Sequence, residues 1–110
     1  NALVRTAQPG ITLGHEGLGV VVQAGAAVTK VAPGCRVLLT CTSGCGSCGN
    51  CLKGFPAHCA APEGGWQLGN TLNGCQAEFV RIPHANGCGV HALTPEVQDE
   101  ASLVMCSDIL

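Results

Sequence analysis

The chain has 110 residues, a formal net charge of -2 and nine cysteines, with 46% hydrophobic and 11% charged residues. That length suffices for one domain with a real core, and the composition is too apolar and too weakly charged for a disordered polyelectrolyte. Five scattered basic residues make no basic face for nucleic acid, and no run reaches the ~20 apolar residues of a membrane helix.

Phe55, Trp66 and Phe79 are the only aromatic residues, so the core is expected to consist of Val, Leu, Ile and Ala. The first residue is Asn1 rather than Met, and the natural N-terminus is expected to lie upstream. With an odd cysteine count and no charged-then-apolar leader, the expected compartment is reducing and cytoplasmic.

Leu18-Gly19-Val20-Val21-Val22-Gln23 is short, β-branched and flanked by glycine, and predicts a strand. Pro33-Gly34 marks a turn before a second strand at Arg36-Val37-Leu38-Leu39. Gly44 to Gly54, rich in Cys and Gly and without periodicity, reads as a loop. A third strand is expected over Gln76 to Ile82, stopped by Pro83. Thr94 as N-cap, Pro95 at the first helical position and Glu96 predict a helix, with Val97, Ala101 and Val104 as its apolar stripe. Short strands, many turns and one late helix point to a mainly β protein, a small barrel rather than alternating βαβ units.

Cys45, Cys48, Cys51 and Cys59 place four thiols within fifteen residues. Zinc takes four tetrahedral ligands, and a closed set of four cysteines is a usual structural site. Gly44, Gly46, Gly49 and Gly54 allow tight turns between them. Such a site contributes on the order of 10 kcal/mol of folding free energy, which would order a loop with little apolar content. An iron–sulfur cluster is a rival, although a ferredoxin-type run has its next cysteine after three residues and before proline. Here Cys59 comes eight positions after Cys51 and precedes Ala60. Disulfides and unligated thiols are the other readings.

Gly14-His15-Glu16 alone is equally well a histidine bonded at a strand edge. It is followed, however, by Gly19, Gly25 and Val28, and then by Pro33-Gly34-Cys35-Arg36-Val37. With these residues the chain resembles the zinc-containing medium-chain alcohol dehydrogenase family. The family signature has Gly-His-Glu, a glycine three positions on, a small residue six further and an aliphatic three beyond, and Gly14 to Val28 fit each position. The lobe spacing, Gln76-Ala77-Glu78-Phe79-Val80 and Ser107-Asp108-Ile109-Leu110 extend the likeness over nearly the whole chain.

The resemblance implies a GroES-like, partly open β-barrel with a zinc-binding lobe over residues 41–60 and a short C-terminal helix. Residues 1–110 would be a partial catalytic domain, without its N-terminal strands and without the Rossmann domain that binds NAD or NADP. No Gly-x-Gly-x-x-Gly follows a strand here. The resemblance also implies His15 and Asp108 as ligands of a catalytic zinc. Glu16 would be a transient ligand or a neighbour of the site, because adjacent residues on an extended chain point opposite ways. Cys106 is the rival to Asp108, and a further cysteine ligand would lie upstream of Asn1. Cys45, Cys48, Cys51 and Cys59 would hold a second, structural zinc. The implied reaction is hydride transfer between a small alcohol, or the matching aldehyde or ketone, and NAD(P), in a full-length homo-oligomer, dimer or tetramer. A fragment without the cofactor domain is expected to be inactive alone.

Two other functions are open: a non-catalytic zinc-binding interaction module, and an electron-transfer protein with an iron–sulfur cluster. Cys35, Cys41, Cys75, Cys88 and Cys106 are expected to act as small buried apolar residues. The stretch Asn86 to His91 departs from the family pattern. His58 could donate to a lobe thiolate, while His84 and His91 read as surface or satisfied histidines.

Overall fold

The computed structural model describes residues 8–108. Three short strands form its sheet: β1 (Gly17–Val20), β2 (Arg36–Leu39) and β3 (Val90–Ala92). They pair antiparallel in the order β1-β2-β3, with Leu18 opposite Leu38 and Leu38 opposite His91. Successive side chains on a strand alternate faces, yet Val37, Leu38 and Leu39 are all buried, so central β2 is covered on both sides. Val31, Val37, Leu39 and Val90 make the core, with Val21, Val28, Val80 and Ile82 packed around it. The expected aliphatic core is what forms, and Phe55, Trp66 and Phe79 stay exposed.

The first predicted strand is shorter than its apolar run. The ladder ends at Val20, and Val21 instead exchanges backbone bonds with the Gly34–Cys35 turn (2.8 and 2.9 Å). The strand expected over 76–82 is absent among the described residues. The amides of Gly74, Cys75 and Gln76 bond to Thr12, Gly14 and Leu13 (2.7, 2.9 and 3.0 Å), so this segment docks on the residues before β1. The third ladder partner is β3, which glycines at 87 and 89 hid from a propensity reading.

The late helix also starts elsewhere. Thr94 to Val97 close only a turn (3.1 Å), and α2 spans Glu100–Met105. Asp99 is its N-cap: Oδ1 accepts from the Ser102 amide at 3.1 Å and Oδ2 from the Ser102 hydroxyl at 2.6 Å. Arg36 donates to the Val97 carbonyl (3.0 Å) and to Glu100 (2.7 Å), tying this segment to β2. None of the α2 residues is buried, so the predicted apolar stripe only grazes the sheet. Within the cysteine-rich loop, one helical turn, α1 (Gly49–Leu52), and a 3-10 turn (Pro56–His58) form where no element was expected.

The sheet does not close on itself among the described residues. Val20, Val22 and Phe79 are 58, 67 and 66% exposed and wall an open groove.

Candidate metal centres

Cys48 is the N-cap of α1 and Cys51 lies within it. Residues three apart on a helical turn share a face, so these two sulfurs point the same way. The chain reverses through the 3-10 turn to return Cys59. Sulfurs of Cys45, Cys48, Cys51 and Cys59 all lie within 4.8 Å of one another. Cys48 and Cys59 Sγ are 3.9 Å apart, and a tetrahedron of ~2.3 Å zinc–sulfur bonds has edges of about 3.8 Å. Amides point at this set: Cys48 N–H donates to Cys45 Sγ (3.3 Å), and Cys45 N–H to Cys59 Sγ (3.4 Å).

Hydrogen bonds and lost hydration shift three of these thiols, Cys45, Cys48 and Cys51. The Ser47 hydroxyl, then the Ser47 and Cys48 amides, pull Cys45 down to about 5. The amides of Ala60 and Cys51 lower Cys48. Cys51 is pushed up to about 12: the Gly46 amide works downward, but loss of water and bonds with the Cys48, Cys59 and Cys45 thiols outweigh it. Thiolates this close repel one another unless a cation stands between them. The convergence of four sulfurs on one point fits a single zinc ion. A multi-atom iron–sulfur core would hold its cysteines further apart. All nine cysteines are free of disulfides.

The second cluster joins the two ends of the described chain. His15, Glu16 and Asp108 offer ligand atoms within 4.8 Å of one another. His15 Nε2 and Asp108 Oδ2 are 3.2 Å apart, although 93 positions separate them in sequence. Tetrahedral bonds of ~2.0–2.1 Å have edges of about 3.3 Å. Gly14 sets up the approach with φ of +93°, a conformation open to glycine, and Gly74 packs its Cα hydrogens against the Gly14 carbonyl where a Cβ would collide. Because residues 15 and 16 lie in irregular backbone, before β1, the expected divergence of His15 and Glu16 does not hold, and both reach the cluster.

On the other side, the Cys41 amide donates to the Ser107 carbonyl at 3.0 Å, fastening the segment after α2 to the end of β2. The Cys41 thiol, then His15, hold the Asp108 carboxyl below its ordinary range. Burial, then Asp108, push Cys41 up to about 11. Trp66 stands edge-on to His15, with ring centroids 6.2 Å apart. Together with Leu13, Glu16 and Leu68 it lines a cleft of about 750 Å³. Neither Cys41 nor Trp66 was marked by the sequence. A lone aromatic after two glycines was the only available signal for Trp66.

Cys106 is exposed and lies outside both clusters, so it is not the buried apolar residue expected. Cys35 and Cys75 do pack against the core, while Cys41 and Cys88 are half-buried. The His58 carbonyl accepts from Asn50 at 2.5 Å, which makes its backbone a strut of the lobe. The His84 ring meets the Pro62 carbonyl at 2.7 Å, and His91 is exposed on β3. Ile109 and Leu110 lie outside the described residues.

The alcohol dehydrogenase GroES-like domain profile matches residues 2–93. The chain belongs to the zinc-containing medium-chain alcohol dehydrogenase family. It is 38% identical over 107 residues to zinc-type alcohol dehydrogenase B of Aspergillus flavus, covering 96% of this chain and 24% of that protein. It is 36% identical over 100 residues to a probable NADP-dependent isopropanol dehydrogenase of Mycoplasma pneumoniae, covering 91% of this chain and 28% of that protein. Among solved structures, zinc dependent alcohol dehydrogenase 2 from Streptococcus pneumonia superposes with a TM-score of 0.82 at 42% identity, covering 94% of this chain and 28% of that one. The chain thus spans about a quarter of the length of these relatives, and the family's mainly β, GroES-like fold is the one described above.

Proposed function

We propose that these residues form most of the catalytic domain of a zinc-dependent alcohol dehydrogenase, with the structural lobe over residues 41–60. The observation that carries this reading is the meeting of His15, Glu16 and Asp108 beside an open cleft, since only folding brings together groups 93 positions apart. A zinc ion held there supplies Lewis acidity to an alcohol or carbonyl oxygen. His15 and Asp108 are the proposed ligands, and Glu16 is a third donor close enough to exchange with them. Trp66 limits the space beside His15. Cys45, Cys48, Cys51 and Cys59 are the proposed ligands of a structural zinc.

The proposed reaction is hydride transfer between a small alcohol, or the matching aldehyde or ketone, and NAD or NADP. The nicotinamide cofactor would be bound by a domain outside these 110 residues, in a full-length homo-oligomer. Among the described residues no helix is long and apolar enough to cross a membrane. The odd cysteine count and the four thiols at metal-ligand spacing favour a reducing compartment such as the cytoplasm.

Metal analysis of the full-length protein tests this. Two zinc ions per subunit are expected, falling to one in His15→Ala with the thermal unfolding transition retained. An unchanged zinc content in His15→Ala would overturn the catalytic-site reading and leave the lobe as a binding module.

A further inference from the structure

Cys88 is a fifth sulfur beside the lobe. It sits in the turn before β3, and its Sγ accepts from the Gly44 amide at 3.0 Å while its own amide donates to the Gly44 carbonyl at 3.1 Å. The two segments are pressed so closely that a Cβ on Gly87 would collide with that same carbonyl. Gly44 is the residue that keeps the thiols in reach of each other. A Cβ there would stand 2.7 Å from Cys88 Sγ and 3.2 Å from Cys51 Sγ. Both sulfurs therefore border the space over the Gly44 Cα, which Pro56 Cβ closes on a third side at 2.7 Å. Both residues are half-buried, which leaves room for a small oxidant.

We propose that Cys51 and Cys88 are a peroxide-sensitive thiol pair whose disulfide removes Cys51 from the four-sulfur set. The Cys88 sulfur attacks one oxygen of hydrogen peroxide, the O–O bond breaks, and a sulfenic acid and one water result. The Cys51 sulfur then attacks the sulfenic sulfur, the S–S bond forms and a second water leaves. Two thiols are oxidised by two electrons, and one peroxide is reduced to two waters. Cys88 is suited to the first step because it is the sulfur at the lobe that no metal would engage. A disulfide needs sulfurs about 2.05 Å apart, so side-chain rotation must bring the two together. Three cysteines remain, and three ligands no longer close a structural zinc site. The release of metal rests on the reading of the lobe as a zinc site, whereas the disulfide itself does not.

Full-length, zinc-loaded protein is treated with hydrogen peroxide. Released zinc is followed with a colorimetric chelator, and the disulfides are mapped by peptide mass spectrometry. A Cys51–Cys88 linked peptide is expected to accumulate together with one equivalent of zinc. Cys88→Ser, which keeps an acceptor for the Gly44 amide, should slow that release by about tenfold or more, whereas Cys106→Ser at the exposed thiol should not. Bonds only among Cys45, Cys48, Cys51 and Cys59 with Cys88 still free, or equal release in Cys88→Ser, would overturn the proposal. The mapping in the unaltered protein decides the matter even where a variant fails to fold. A linked peptide from protein that carries no lobe zinc at the outset keeps the thiol pair and refutes only the metal reading.

Discussion

The two donor clusters of this chain are built in opposite ways. The cysteine lobe draws its sulfurs from residues 45–59, with one helical turn and one 3-10 turn to shape it and no buried residue in either element. The His15 cluster draws its donor groups from positions 93 apart and is held by the sheet, by the Cys41–Ser107 backbone bond and by the contact of Gly14 with Gly74. A local cluster with almost no core would need a bound metal in order to keep its shape. A long-range cluster has its shape already, because apolar burial elsewhere fixes the backbone that carries it.

Removing one lobe sulfur should give the largest effect. In full-length Cys59→Ala, one zinc should be lost, and amide protection across residues 44–60 should collapse in hydrogen exchange while the zinc at His15 stays. Persistent protection in the absence of that zinc would break the comparison. Next in size is a core truncation. Leu39 is 6% exposed on the central strand, and Leu39→Ala should cost about 2–4 kcal/mol in denaturant unfolding. Its expected signature is weaker zinc retention at His15 and Asp108 than at the lobe, read by timed chelator competition. Equal loosening of both sites would argue that the lobe also leans on the core.

The smallest effect concerns pH. The Ser102 hydroxyl and then its amide hold Asp99 below its ordinary 3.8, so the cap favours folding above that value. The contribution is lost as pH falls through the lowered pKa, and α2 should fray there first. Circular dichroism should show this loss, and Asp99→Asn should remove its pH dependence. Retained helicity of α2 through that range would show that packing, not the cap, holds the segment bearing Asp108.

Much of this was legible in the residues. Four thiols at short spacing meet because a few peptide units cannot carry them far apart, so Cys45, Cys48, Cys51 and Cys59 could be grouped before any fold was known. Strand β2 was equally plain, since Arg36-Val37-Leu38-Leu39 between a Pro-Gly turn and a glycine-rich loop has few other uses. The strand expected at 76–82 failed for the opposite reason. Its β propensity was real, but its neighbouring amides found partners at residues 12–14, and pairing partners are not encoded in a strand's own sequence. Helix α2 began late because Asp99 captured the Ser102 amide, a choice between two good caps that local pattern leaves open.

The family resemblance, the thiol set and the aliphatic composition of the core could be read directly from the residues, because all three rest on short-range spacing or on bulk hydrophobicity. That Asp108 rather than Cys106 faces His15, that Trp66 and Cys41 border the same cluster, and that Cys88 and Cys51 approach Gly44 together are outcomes of tertiary packing. Each of those depends on where the backbone goes over tens of residues. Burial of Val31, Val37, Leu39 and Val90 sets that path, and no motif carries it.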